Sequence, residues 1–277
     1  MSVLYAIFLG IIQGLSEFLP ISSSGHLSVI QNLLGAPGTE EHMLFDVLLH
    51  LGTVISIVAV YWREIVEIAR DTIQWLVHFR HPQPGKGGVT PSVRLFWMLV
   101  VGSLPMFLAL FVHTYVEQLY YHTYFIGLMF LLTGCLLYLS TRMPRGTRTE
   151  KTMTVRDAVT VGLCQAVATL PGLSRSGVTI TAGLAVGLER SYAARYSFLL
   201  SLPSVLAANL LTLISAAGEG IDTGLIPAYL CGMAAAMVVG YFAALLVKRM
   251  VSGGKFGKFA YYCWGAGLVT LLLSVIL

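Results

Sequence analysis

The residue types that could do chemistry are concentrated in one short stretch, Ser16–Leu27, which reads SEFLPISSSGHL. A hydroxyl becomes a nucleophile when a base lies beside it. Glu17 could serve as that base and Ser23 as the nucleophile. His26 lies three residues beyond Ser23, on a neighbouring face of one helical turn, and could donate a proton to a leaving oxygen. The stretch therefore indicates acid–base chemistry around a hydroxyl.

A second polar stretch, Pro171–Thr179, reads PGLSRSGVT and contains Arg175. A buried guanidinium needs an anion, and its planar fork matches the oxygens of a phosphate group. Ser22–Ser24 and Ser174 each precede an apolar arm, so we expect them to cap helix N-termini, which attract anions. The two stretches together predict a phosphate cradle. The structural alternative is that Ser and Gly only cap broken helices while Arg175 pairs with Glu17.

Composition places these polar groups in a membrane. The chain has 277 residues, of which 56% are hydrophobic and 11% are charged, whereas soluble domains carry about 25% charged residues. A polytopic α-helical membrane protein follows, in which buried polar groups are costly and typically functional. The four Cys residues lie in apolar segments without paired spacing, so neither a disulfide framework nor a zinc site follows from them. Basic clusters lie between apolar runs, so the positive-inside rule explains them better than nucleic-acid binding does.

Hydropathy predicts six membrane spans and two broken, re-entrant hairpins. Each hairpin has two apolar arms that are too short to span and a polar break between them. Residues 1–62 contain no Lys or Arg, so we expect both termini to face outward. The predicted hairpins are 3–35 and 156–188, and the predicted spans are 43–62, 95–113, 123–141, 195–217, 225–247 and 257–277.

The two hairpins align with each other at an offset of 152 residues. The aligned identities are Ala6 with Ala158, Gly10 with Gly162, Gln13 with Gln165, Ser22 with Ser174, Ser24 with Ser176, and Gly25 with Gly177. We therefore predict an all-α polytopic membrane protein with two repeats, 1–141 and 152–277, in one integrated membrane domain. Because each repeat holds three spans, the second copy enters from the opposite side, as in transporters built from inverted repeats.

The repeat differs where the reactive groups lie. In the alignment Glu17 faces Thr169, Ser23 faces Arg175, and His26 faces Val178. This asymmetry predicts one site assembled from two different tips. Asp46 and His50, at i and i+4 in the first span, form a further polar pair, for which we expect a structural or supporting role.

With these residues in place, the chain resembles the undecaprenyl-diphosphatase family of the bacitracin-resistance type. The first family motif appears as Gln13 and Glu17 followed by Phe18–His26, FLPISSSGH. The second motif, P-G-x-S-R-S-x-x-T, appears in Pro171–Thr179. The resemblance covers essentially the whole chain.

The resemblance implies hydrolysis of undecaprenyl diphosphate to undecaprenyl phosphate and inorganic phosphate, which recycles a lipid carrier for cell-wall synthesis and confers bacitracin resistance. It implies Mg²⁺ or Ca²⁺ as a cofactor, with Glu17 as a metal ligand. Many family members carry Glu where this chain has Gln13, and an amide is not a base and is a weaker ligand. The implied catalytic residues are Glu17, Ser23, His26 and Arg175, and the implied substrate-binding residues are Gln13, Ser22, Ser24, Gly25, Ser174, Ser176, Gly177 and Thr179.

The expected partners are a polyprenyl diphosphate lipid, the membrane and a second copy in a homodimer, with no nucleic acid. The expected location is the bacterial cytoplasmic membrane, with the site opening to its outer face. Two questions stay open at this point. Ser23 could attack phosphorus itself, or a water held by Glu17 could do so. A transporter of polyprenyl phosphate is the alternative function, because inverted repeats with broken helices also serve alternating access.

Overall fold

The computed structural model describes residues 1–33, 40–80, 89–216 and 223–276. These residues form α-helices, short 3₁₀ turns and connecting loops, with no β-strand among them. The all-helical class predicted from the sequence is confirmed. The helices are α1 Val3–Phe18, α2 Ser23–Leu33, α3 Glu40–Val60, α4 Trp62–Arg80, α5 Pro91–Ser103, α6 Phe107–Leu119, α7 Thr123–Ser140, α8 Val155–Val167, α9 Arg175–Ala185, α10 Arg190–Ala216, α11 Ile226–Ser252 and α12 Phe259–Ile276.

The two predicted hairpins are each a pair of helices separated by a short break. α1 and α2 flank a break that contains Pro20, and α8 and α9 flank a break that contains Pro171. Proline removes a backbone donor and disfavours helical backbone in the residue before it, so both helices end near these positions. Four residues at the edges of predicted segments, 34, 35, 217 and 277, lie outside the described residues.

Four described segments are long and apolar enough to cross a membrane, namely Pro91–Ala109, Thr123–Ser140, Ile226–Ser252 and Phe256–Val275. They agree with four of the predicted spans. The bent pair α3–α4 gives a fifth if it counts as one span, and its helices meet at 77°. The chain is thus a polytopic membrane protein. The predicted span 195–217 corresponds to α10, which is absent from this set of described segments, so the count of six stays a prediction.

The helices of both hairpins pack on helices outside the hairpins. α1 lies on α11, α8 lies on α5, α3 lies between α10 and α11, and α7 lies on α12. The largest buried apolar cluster surrounds α10 and includes Phe18, Tyr61 and Tyr196.

Glycine allows two of these helix pairs to touch through their backbones. A Cβ atom added at Gly10 would lie 2.3 Å from the carbonyl oxygen of Gly232 on α11. One added at Gly162 would lie 2.1 Å from the carbonyl oxygen of Gly102 on α5. Small residues at such positions let helix backbones approach closely in a membrane. The α1–α11 and α8–α5 contacts therefore depend on glycine.

Replacing Gly10 tests this dependence. Gly10→Ala should destabilise the protein, because the new methyl group displaces α1 from α11, and overpacking typically costs about 1–3 kcal/mol. The melting temperature of the detergent-purified protein should fall. Gly265→Ala in α12 is the matched control, since no described atom lies within 4 Å of its added Cβ. Equal melting temperatures for the two variants would contradict the close contact.

Candidate active site

The breaks of the two hairpins lie directly against each other. A Cβ added at Gly25 would lie 2.8 Å from the Cα of Gly172, and one added at Gly177 would lie 3.3 Å from the Cβ of Pro20. Gly172 has φ +89°, a left-handed backbone conformation that glycine adopts without steric cost. The absence of side chains at Gly25 and Gly172 lets the two breaks approach closely there, and the polar residues of both breaks are brought together.

Glu17 is the centre of the resulting cluster. Its side chain is only 5% exposed. Its Oε2 accepts hydrogen bonds from Ser23 Oγ at 2.6 Å and from Gln13 Nε2 at 3.2 Å. Its Oε1 accepts one from the Arg175 guanidinium, which also forms an ion pair with the carboxylate. The structure thus brings together the base, the hydroxyl and the cation that the sequence singled out.

The first break is shaped by Ser22. This residue has φ +69°, and a left-handed conformation in a residue with a side chain costs about 1–3 kcal/mol. Its hydroxyl accepts a hydrogen bond from the Gly25 N–H at 3.2 Å, which caps α2 as predicted. Its carbonyl oxygen accepts from Nδ1 of His26 at 2.7 Å. The unusual backbone at Ser22 therefore both starts α2 and orients His26.

The second break is held by hydroxyl groups. Ser174 Oγ caps α9 by accepting from the Gly177 N–H at 3.1 Å. Ser176 Oγ donates to the carbonyl oxygen of Phe18 at 3.3 Å, and Thr179 Oγ1 donates to that of Arg175 at 2.8 Å. Ser174, Ser176 and Thr179 are all buried. In the resting site these hydroxyls hold the break, and their predicted contact with phosphate stays a prediction.

His26 faces away from Glu17. A carbonyl oxygen only accepts, so Nδ1 carries the proton that binds Ser22, and Nε2 lies 2.7 Å from the hydroxyl of Tyr262. The rings of His26 and Tyr262 are stacked with centroids 5.7 Å apart. Among the hydrogen bonds of the described residues, none joins His26 to Ser23 or Glu17. The predicted acid thus lies beside the site with its free nitrogen turned toward α12.

Two further residues enter the site. His50 Nε2 lies 3.8 Å from Glu17 Oε2, and its Nδ1 donates to the carbonyl oxygen of Asp46 at 2.8 Å. The sequence predicted a supporting role for His50 but gave no reason to place it beside Glu17. Tyr262 was not predicted, because it lies in an apolar run and meets His26 only through helix packing.

The described residues do not fit a resident divalent cation. No group of three or more His, Cys, Asp or Glu residues lies close enough to hold a metal ion in the part of the chain that the structure describes. The one central carboxylate, Glu17, is bound by a guanidinium, and Gln13 points its amide N–H group at it. Mg²⁺ and Ca²⁺ prefer several oxygen ligands. The cation implied by the resemblance stays a prediction.

An anion can reach part of the cluster. The side chains of Arg175 and His50 are 23% and 28% exposed, and Ser23 and Ser24 are partly exposed, whereas Glu17 lies beneath them. The N-termini of α2 and α9 also lie at this junction and favour negative charge. A hydroxyl with an adjacent base, beside a guanidinium and two helix N-termini, is suited to phosphoryl transfer.

Comparison with known proteins agrees with the motifs. Residues 6–269 match the sequence model of the family described as bacitracin resistance protein BacA. The chain is 37% identical to the undecaprenyl-diphosphatase of Methanosphaera stadtmanae over 287 residues, with all of both chains covered. It is 37% identical to that of Desulforapulum autotrophicum, again over the whole of both chains. It is also 37% identical to that of Halothermothrix orenii, with 99% of each chain covered. The chain therefore belongs to the bacitracin resistance protein BacA family.

Proposed function

We propose that this protein is an integral membrane phosphatase that hydrolyses undecaprenyl diphosphate to undecaprenyl phosphate and inorganic phosphate. The reaction recycles the lipid carrier for cell-wall synthesis and confers resistance to bacitracin. The observation that carries the proposal is the Ser23 hydroxyl, 2.6 Å from the Glu17 carboxylate that Arg175 also binds. The names of the relatives, undecaprenyl-diphosphatase, support the same substrate.

In the first step Ser23 Oγ attacks the terminal phosphorus while its proton passes to Glu17. The bond from that phosphorus to the bridging oxygen breaks, and undecaprenyl phosphate leaves with the bond's electron pair. In the second step water attacks the phosphoserine and Ser23 recovers a proton as inorganic phosphate departs. Glu17 acts as the base in the first step and returns its proton in the second.

In this reaction Arg175 binds two anions in turn, the Glu17 carboxylate and the diphosphate of the substrate. In the resting site its guanidinium binds Glu17 and compensates the negative charge of the buried carboxylate. A diphosphate offers more negative charge and matches the guanidinium fork. When the substrate takes over this guanidinium, the Glu17 carboxylate remains beside the Ser23 hydroxyl as the acceptor of its proton.

The inverted repeat is part of the proposal, and helix packing supports it. α1 and α8 are aligned in sequence, and they lie on α11 and α5, the second span of the opposite repeat in each case. α3 packs on α10, the first span of the other repeat, and α7 packs on α12, the third span of the other repeat. Exchange of the two repeats leaves this set of contacts unchanged, as a two-fold axis requires. Six spans, outward-facing termini and an outward-opening site in the bacterial cytoplasmic membrane complete the proposed topology, and the homodimer stays a prediction.

Phosphate release tests the function directly. The detergent-purified protein should release orthophosphate from farnesyl diphosphate, a short prenyl diphosphate, whereas a pure transporter would release none. Arg175→Lys keeps the charge and loses the planar fork, so kcat/KM should fall by about 10²-fold or more, as for other losses of transition-state donors.

Arg195→Lys is the matched control, because Arg195 is similarly exposed and is paired with Glu150 at 2.6 Å outside the site. It should retain near-parental turnover. Melting temperatures of both variants would separate loss of chemistry from loss of folding. Near-normal turnover by a folded Arg175→Lys variant would exclude the guanidinium from the phosphate site.

The nucleophile can be identified by trapping. Rapid quenching with substrate labelled in its terminal phosphate should leave label on Ser23, and Ser23→Ala should abolish turnover because it removes the hydroxyl that Glu17 binds. Ser28→Ala, a buried serine of the same helix, should remain active. If Ser23→Ala keeps measurable activity and the parent protein stays unlabelled during full turnover, a water held by Glu17 is the nucleophile instead.

Cysteine labelling tests the orientation. Tyr121 lies in the loop between α6 and α7 and is 59% exposed, and Arg145 lies in the basic loop after α7. An impermeant thiol reagent should label Tyr121→Cys in intact cells and should label Arg145→Cys only after lysis. The parent protein, with its four native cysteines, gives the background. The reverse labelling pattern would move the proposed site to the cytoplasmic side.

A further inference from the structure

We propose that Tyr262 of α12 is a positioning residue for His26, so that the last helix of the chain forms part of the catalytic machinery. This inference rests on the proposed phosphatase function for its kinetic readout. The hydrogen bond on which it is built can also be measured without any activity.

The contact fixes both the orientation and the protonation pattern of the imidazole. Nδ1–H of His26 donates to the carbonyl oxygen of Ser22 at 2.7 Å, so Nε2 of the neutral ring must accept. The hydroxyl of Tyr262, also at 2.7 Å, is the donor that it meets. The imidazole also lies nearly parallel to the Tyr262 ring, with centroids 5.7 Å apart, and 4.9 Å from the tilted ring of Phe130. His26 is thus held in one tautomer and one ring orientation.

A neighbouring residue of α12 forms a hydrogen bond with the break between α1 and α2. The Cys263 thiol donates a hydrogen bond to the carbonyl oxygen of Pro20 at 3.4 Å, and Cys263 is fully buried. α1 ends at Phe18, so this carbonyl lies beyond the hydrogen-bonded ladder of that helix. Consecutive residues of α12 therefore bind the first break at Pro20 and the first turn of α2 at His26. The contact between Tyr262 and His26 is therefore one of two adjacent contacts through which α12 packs against this part of the chain.

The position of Tyr262 matters because Nε2 is the only ring nitrogen of His26 left to exchange a proton with a reacting group. Tyr262 is 49% exposed, so it stands between that nitrogen and the surroundings. A phenol both donates and accepts, so it can hold Nε2 whether the imidazole is neutral or protonated. We expect the Tyr262 hydroxyl to hold the imidazole in this orientation until a phosphate oxygen of the substrate replaces the hydroxyl at Nε2.

Adjacent tyrosines give a matched test. Tyr262→Phe keeps the stacked ring and removes only the hydroxyl, whereas Tyr261→Phe makes the same change at an exposed residue whose ring packs on Trp264. Tyr262→Phe should lower kcat for farnesyl diphosphate about tenfold with little change in KM. This loss is smaller than the 10²–10⁴-fold that removal of an acid–base group costs. Tyr261→Phe should leave both constants unchanged.

A double-mutant cycle tests whether Tyr262 acts through His26. Tyr262→Phe should lower the melting temperature of the parent but not that of His26→Ala, and it should cause no further loss of turnover in that background. Equal effects of Tyr262→Phe in both backgrounds, or parental kcat and melting temperature in the single variant, would overturn the proposal. If the parent releases no phosphate, the proposed function fails, and the cycle in melting temperature still decides whether the Tyr262–His26 contact exists.

Discussion

The ion pair between Glu17 and Arg175 is the interaction on which the rest of the structure depends. The two residues are 158 positions apart, and each lies at a helix break inside a bundle of apolar helices. A buried charge without a partner is costly, and removing one member of a buried pair typically costs about 3–5 kcal/mol. Neither break can therefore be buried favourably unless the other is present. The pair makes the two halves of the chain fold as one body around a polar centre.

Breaking a helix inside a membrane creates a second cost, because free backbone N–H and C=O groups find no water there. The hydroxyls of both breaks meet this cost locally. Ser22 and Ser174 cap the new N-termini, Ser176 binds the free carbonyl of Phe18, and Cys263 binds that of Pro20. The first turns of α2 and α9, which carry these N–H groups, lie at the junction, and Arg175 is the first residue of α9. The residues that make the breaks tolerable thus also leave a site that favours an anion.

Much of this arrangement could be predicted because it depends on local sequence patterns. Both breaks, their serine caps and four of the spans follow from short polar stretches between apolar arms, and the aligned glycines indicate where backbones touch. The bend between α3 and α4, the 3₁₀ turn at Pro105 and the division of that span into α5 and α6 were not predicted. Apolarity alone does not distinguish a straight helix from a bent one.

The contacts of His26 with Tyr262 and of His50 with Glu17 were beyond sequence reasoning for a different reason. Tyr262 lies 236 residues from His26 in an apolar helix, where a tyrosine carries no local signal of function. His50 has a local signal, the i and i+4 pair with Asp46. Its position beside Glu17 depends on how α3 packs against α1, and the sequence of α3 does not contain that information. Both contacts arise from tertiary packing between segments whose own sequences give no indication of the contact.

The differences between the two repeats explain why the junction is reactive rather than merely polar. Ser23 and Arg175 occupy aligned positions, and they bind the two oxygens of one carboxylate, Oε2 and Oε1. Two serines at these positions would leave Glu17 without a countercharge, and two arginines would leave it without a hydroxyl to activate. A second Glu in place of Thr169 would add a like charge to the same buried site. The repeat therefore places similar helix ends on both sides of the junction. Different residues at a few aligned positions provide a base, a nucleophile and a cation, which together act on a single bound anion.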